Sequence, residues 1–238
     1  GIQPDILVYR TEHPLESGIK SKIAQFCNVE RDAVIESIDV SSIYQVPILM
    51  QKEKLDQIVL KKLGISDSSE AQLKKWNKFL NGLQNPRKEI TIGLVGKYVK
   101  LQDAYKSISE ALIHAGVNNS CKVNIKWIHA EKIDKNNISK TLKNLHGVIV
   151  APGFGDRGVE GKISAIKYIR ENNIPFFGIC LGMQSAVIEY ARNVLGLKDA
   201  NSIEMNPQTS APVINLMHEQ KEVTQKGGTM RLGSYECN

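Results

Sequence analysis

Ile174-Pro-Phe-Phe-Gly-Ile-Cys-Leu-Gly-Met-Gln184 constrains this chain more than any other stretch. An apolar run after a proline meets Gly178, and Cys180 then stands between Ile179 and Leu181, with Gly182 beyond. After Gly182 the apolar residues Met183, Ala186, Val187 and Tyr190 recur at helical spacing. The reading is a central sheet strand over residues 176–179, a sharp turn, and a helix, with the cysteine at the apex. Gly-x-Cys-x-Gly is the thiol counterpart of the Gly-x-Ser-x-Gly nucleophile elbow. Glycine flanks the nucleophile because the turn leaves no room for side chains. The positive end of the following helix favours a thiolate, the reactive form.

The alternation around this stretch sets the fold class. Strands are expected over residues 90–96, 123–128, 148–150 and 176–179. Helices are expected over 105–115, closed by Gly116, and over 138–145 and 160–171. This pattern predicts an α/β fold with a doubly wound, mostly parallel sheet. Such sheets carry their chemistry at the carboxyl ends of the strands. Two loops stand there: Ala151-Pro-Gly-Phe-Gly155 and the Cys180 elbow. Acyl transfer needs backbone N–H donors for an oxyanion. Leu181 offers one and Gly153 the other, whereas Pro152 has no N–H to give. The loop lacks a Gly-Lys-Ser/Thr signature and is not a Walker loop.

Before residue 90 the text is different. Strands are expected at 6–8 and 33–38, with a helix at 19–27 carrying Ile19, Ile23 and Phe26 on one face. One basic amphipathic helix is read over residues 51–63, with Leu55, Ile58, Val59 and Leu63 inward. Polar residues 64–70 form a linker to a helix at 71–83, and residues 85–89 form a second break. Three parts follow: residues 1–65 as a partial α/β segment, 66–89 as linker, and 90–238 as the doubly wound domain. A strand so close to Gly1 reads as the tail of a larger unit. A last strand is expected over 213–217.

Composition excludes more than it assigns. The chain has 238 residues, 42% hydrophobic and 24% charged, ordinary for a globular protein. No apolar run approaches the ~20 residues of a membrane span, and no signal peptide is visible. Four scattered cysteines form no C-x-x-C pair, so neither zinc nor a disulfide framework is indicated, and a reducing cytoplasm fits. A net charge of +6 with dispersed lysines reads as a solvated surface with no call for nucleic acid. Of the five histidines only His218 follows Cys180, and it reads as a surface residue. The residues alone reveal no general base.

Longer stretches carry a resemblance. They include Gly1-Ile-Gln-Pro-Asp-Ile-Leu-Val8, Asp39-Val-Ser-Ser-Ile-Tyr44, Gly93-Leu-Val-Gly-Lys-Tyr-Val99, Gly153-Phe-Gly-Asp-Arg-Gly-Val-Glu-Gly161 and Gly227-Gly-Thr-Met-Arg-Leu-Gly233. With the elbow, they resemble the CTP synthase family of triad-type glutamine amidotransferases from end to end. That resemblance implies glutamine hydrolysis in one domain and ATP- and magnesium-dependent amination of UTP to CTP in the other. Cys180 would be the nucleophile, with Gly153 and Leu181 at the oxyanion. Gly153, Phe154, Gln184 and Glu204 would bind L-glutamine. Arg157, Gly161 and Arg231 would be linked to the GTP activator, with Arg157, Gly158 and Glu160 in a lid. Arg10, Asp39 and Val40 would edge the ATP site, and Lys22, Phe26 and Asn28 the UTP/CTP site. The magnesium ligands and a catalytic His/Glu segment of the family have no counterpart in the sequence, which is expected to be truncated before the latter. A cytoplasmic homotetramer is also implied.

The chain departs from the family at two positions. Pro152 replaces a glycine, and Ile38 stands where a lysine often lines the adenine pocket. A second class of reading is a non-catalytic nucleotide-binding or assembly module with a silent thiol. A third is a cysteine hydrolase that shares only the elbow.

Overall fold

The computed structural model describes residues 2–66 and 69–216, in two compact units, Gly1–Asn85 and Pro86–Asn238. In the second unit four strands run parallel: β3 (Lys88–Gly96), β4 (Cys121–His129), β5 (Gly147–Val150) and β6 (Phe176–Gly178), in the order β4-β3-β5-β6. Between them lie helices α5 (Lys106–Asn118), α6 (Ile138–Leu142) and α7 (Val159–Glu171), and α8 (Leu181–Asn193) follows β6. One layer packs Leu94, Tyr105 and Ala151 with Ile108 of α5. The other packs Val95, Ile128, Val148 and Val150 against Leu142 of α6 and Ala165, Ile166 and Ile169 of α7. Helices on both faces explain why β3 and β5 are apolar on both sides. The chain leaves β3 toward β4 and returns past it to β5. The winding therefore reverses between β3 and β5, the point where such sheets open a crevice.

The doubly wound parallel sheet is as expected, with two differences. Among the described residues β6 is an edge strand rather than a central one. Beyond α8 the chain forms a separate parallel pair, β7 (Ala200–Ser202) with β8 (Ala211–Ile214), and adds nothing to β6. β7 is three residues long, too short for a period-2 signal. Gly116 does not close α5, which runs on to Asn118. It is buried because a Cβ there would stand 2.6 Å from the Cys121 carbonyl oxygen. Packing against the start of β4, rather than a left-handed cap, calls for glycine at 116.

The first unit holds a parallel pair, β1 (Leu7–Thr11) with β2 (Val34–Ile38), and helices α1 (Ser17–Cys27), α2 (Val46–Lys52), α3 (Leu55–Lys62) and α4 (Lys74–Gln84). The single helix read over 51–63 is broken. Lys54 takes φ +58°, and the Glu53 carboxylate accepts from Lys20 Nζ at 3.1 Å and from the Glu36 N–H of β2 at 3.3 Å. Satisfying a β2 N–H from the turn outweighs continuing the helix. Leu63 is 67% exposed and Phe26 88%, so neither is part of an inward face. Trp76 of α4 donates its indole N–H to the Tyr44 carbonyl at 2.8 Å and stacks on Phe79.

Candidate active site

The elbow forms as the glycines require. Cys180 is exposed and heads α8 at φ +51°, ψ −111°. A non-glycine residue there is strained, and such strain persists only where the surroundings impose it. The surroundings here are two close backbone approaches. A Cβ on Gly182 would lie 2.1 Å from the Val150 carbonyl oxygen, and one on Gly178 2.7 Å from the Gly182 carbonyl carbon. Neither glycine has positive φ, so it is space rather than conformational freedom that excludes side chains. The Ile179 N–H binds the Val150 carbonyl at 3.0 Å and Gly182 N–H binds the Ile179 carbonyl at 2.8 Å, which ties the turn to β5.

The loop after β5 stands beside this turn. A Cβ on Gly153 would lie 3.5 Å from Leu181 Cδ2, so the two expected oxyanion residues are neighbours. Among the described residues neither the Gly153 nor the Leu181 N–H is given to a protein acceptor. Gln184, in the first turn of α8, donates its backbone N–H to the Cys180 carbonyl at 3.0 Å. Glu204, just past β7, accepts from the Gly155 N–H at 3.3 Å, which brings it to the same loop. Phe154 projects from that loop, 81% exposed. Gly153, Phe154, Cys180, Leu181, Gln184 and Glu204 are therefore gathered.

The next loop is fastened outward. Arg157 pairs with Glu131 at 3.2 Å and lies over the Tyr98 ring, 5.7 Å from its centroid. Gly158 caps α7 at φ +79°. Gly161 is pressed on the Ala130 carbonyl, which a Cβ would approach to 1.9 Å. Arg231 and His218 lie outside the described residues. Of the other histidines, His146 takes a bond from the Thr91 N–H near the amino end of the sheet. His129 closes β4, three strand positions from β6 or roughly 14 Å across the sheet. His114 is on α5 and His13 in the other unit. Neither His146 nor His129 stands beside Cys180.

In the first unit Arg10, Asp39 and Val40 meet at the carboxyl ends of β1 and β2. Arg10 forms a two-point pair with Asp39 at 2.6 and 3.1 Å, and the guanidinium holds that carboxyl below its ordinary range. Lys22 and Phe26 share an exposed face of α1, and Asn28 caps the helix at φ +53°.

Sequence reasoning missed two residues. Lysines read as a solvated surface include Lys162, 0% exposed, and Lys97, 7% exposed. A signal was present: Lys162 lies on the inward stripe of α7 with Val159, Ile163, Ile166 and Ile169. The Lys162 ammonium donates to the Ala151 carbonyl at 2.8 Å and that of Lys97 to the Phe154 carbonyl. Burial, then the charge of Lys97, push Lys162 down to about 8, with Cys180 acting the other way.

Known proteins match both units of this chain. The family model described as glutamine amidotransferase class-I matches residues 100–238, and that of the CTP synthase N-terminus matches residues 1–65. Across 100% of its length the chain is 63% identical to a CTP synthase of Cytophaga hutchinsonii, and across 99% it is 56% identical to one of Methanocaldococcus jannaschii. It spans 44% of the length of each. Among solved structures, the glutaminase domain of Trypanosoma brucei CTPS with bound acivicin is similar at 38% identity and TM-score 0.52. That match covers 54% of this chain and 50% of the other.

Proposed function

The chain belongs to the class-I glutamine amidotransferase family, and from that premise we propose that it is the glutaminase portion of a CTP synthase together with the closing part of its synthase domain. Residues 1–65 are the synthase part and 90–238 the glutaminase. Of the stretch 66–89 read as linker, Lys74–Gln84 is helix α4, held in the first unit by the Trp76–Tyr44 bond, and Lys88 already begins β3. The strained backbone of Cys180 at the head of α8, beside two uncommitted N–H groups, is the observation that carries this reading.

The chemistry follows from the positions. The Cys180 thiolate attacks the carboxamide carbon of L-glutamine, and the carbonyl oxygen becomes an oxyanion facing the Gly153 and Leu181 N–H groups. Collapse of that intermediate breaks the C–N bond. The departing nitrogen takes up the proton that the Cys180 thiol gave up and leaves as ammonia, and water hydrolyses the remaining thioester to glutamate and the free thiol. Glu204 answers the substrate's ammonium, and Gln184, with both donor and acceptor atoms, binds its amino-acid end. Phe154 borders the entrance. Pro152 removes one possible donor, so the oxyanion site is built on Gly153 alone from that loop.

The released ammonia aminates UTP that ATP has phosphorylated, with magnesium. Arg10, Asp39 and Val40 edge the ATP site, and Lys22, Phe26 and Asn28 the UTP/CTP site. Among the described residues no three His, Cys, Asp or Glu gather as a metal cage. GTP activates through Arg157, Gly161 and Arg231, and the protein works as a cytoplasmic homotetramer.

The test uses the full-length protein. A glutamine-analogue inactivator should add its mass to Cys180. Cys180→Ala should lose glutamine-dependent CTP formation while ammonia-dependent formation survives. Glutamine hydrolysis by Cys180→Ala at the wild-type rate would refute the reading.

A further inference from the structure

Lys97 and Lys162 have no place in the mechanism above. Lysine is almost never fully buried unless paired, yet no carboxylate pairs with either among the described residues. Their partners are backbone carbonyls, Ala151 for Lys162 and Phe154 for Lys97, and those carbonyls flank Gly153. A Cβ on Gly153 would lie 3.4 Å from Lys97 Cε and 3.7 Å from Lys162 Nζ, so both side chains lie against this glycine. Lys97 is itself anchored, since the Tyr105 hydroxyl oxygen accepts its backbone N–H at 3.1 Å and that of Tyr98 at 3.2 Å.

The consequence is geometric. Peptide groups are planar, so fixing a carbonyl fixes the whole group. Lys162 fixes the 151–152 peptide. The 154–155 peptide is held at both ends, by Lys97 at its carbonyl and by Glu204 at its N–H. Between them lies the Pro152–Gly153 peptide, whose N–H is the proposed oxyanion donor. An apolar side chain would fill the same space without the desolvation of an ammonium. Two positive charges behind this loop, neither paired with a carboxylate and Lys97 lying 5.2 Å from the centroid of the Tyr98 ring, favour an anion in front of it.

We propose that Lys162 and Lys97 are positioning residues of the acyl-transfer site, aiming the Gly153 N–H at the oxyanion and biasing the hollow toward negative charge. The proposal rests on the glutaminase reading. It is also pH-sensitive, because Lys162 is held down at about 8. The charged groups acting on it are Lys97, beyond β3, and Cys180, at the head of α8. The other elements packed on α7 also carry titratable groups: Lys88 and Glu89 at the amino end of β3, the latter paired with Lys122, and Tyr190 of α8, half exposed. Glu189 and Arg192 of α8 are engaged by Arg170 and Glu160, and Glu131 by Arg157. Lys132 and Lys140 line a cleft with Trp127 and His129, and β5 and β6 carry no titratable side chain.

Lys162→Met and Lys97→Met in the full-length protein test this. With fold checked by circular dichroism, kcat for glutamine hydrolysis should fall about 10- to 100-fold, against 10²–10³ for loss of an oxyanion donor itself. KM should move less than about threefold. Wild-type kcat should decline as pH rises through about 8, and that decline should be missing from the residual rate of Lys162→Met. A merely space-filling role would move the melting temperature and neither of these. Folded variants with wild-type kcat and pH profile would overturn the proposal. So would a wild-type kcat that does not fall between pH 7 and 9.5, which needs no variant. A wild type unable to hydrolyse glutamine would instead overturn the functional reading itself.

Discussion

Replacing Lys162 by methionine should change the sign of its effect on stability with pH. In the folded protein Lys162 is pushed from 10.5 to about 8, and a displacement of that size corresponds to about 3 kcal/mol. Below pH 8 both folded and unfolded chains carry the proton, so the burial penalty is present in full. Between pH 8 and 10.5 the unfolded chain binds more protons than the folded one, so stability rises with pH. Methionine, close in volume, removes the penalty but strands the Ala151 carbonyl, a loss of about 1–3 kcal/mol. Lys162→Met should therefore equal or exceed wild type at pH 7 by up to about 2 kcal/mol. By pH 10 the wild type should have gained about 2–3 kcal/mol on it and be the more stable. The assay is urea unfolding at both pH values, followed by Trp127 fluorescence in a Trp76→Phe background, since each unit holds one of the two tryptophans. Comparing two proteins at each pH cancels every titrating group not coupled to Lys162, leaving Lys97 and Cys180. A gap between them that stays constant from pH 7 to 10 would refute the reasoning.

Three further outcomes follow from the same structure. Gly161→Ala should destabilise the second unit by more than about 3 kcal/mol in urea unfolding, because backbone rather than a flexible side chain lies 1.9 Å from the added carbon. Arg170→Ala strands the Glu189 carboxylate, 1% exposed and held at 2.8 and 3.0 Å. It should cost about 3–5 kcal/mol at pH 7, checked by the urea midpoint. On the proposed reading, in which Glu204 meets the substrate's ammonium, Glu204→Gln in the full-length protein should raise KM for glutamine about 10- to 100-fold, more than it lowers kcat. Steady-state kinetics check this, and an unchanged KM would move the ammonium site elsewhere.

The strands and helices of the second unit were legible because burial on both faces writes apolar runs for β3 and β5, and periodic stripes for α7 and α8. The elbow was legible for a different reason. Gly178 and Gly182 report local crowding that any fold placing a cysteine on this turn must meet, so the strand, turn and helix around Cys180 could be read from the text. Where the chain failed to announce itself, non-local contacts decided. The break at Lys54 exists because Glu53 answers an N–H of β2, seventeen residues away. Gly116 is set by the backbone of β4 and not by its own helix. β6 ends the described sheet because residues after α8 pair with each other. Lys97 and Lys162 are sixty-five positions apart, and each alone reads as a surface charge. Only the winding reversal between β3 and β5 brings both under Gly153, and burial there turns two ordinary cations into a strained pair. Sequence carried what neighbours along the chain enforce; the tertiary structure alone fixed what distant backbone and missing water impose.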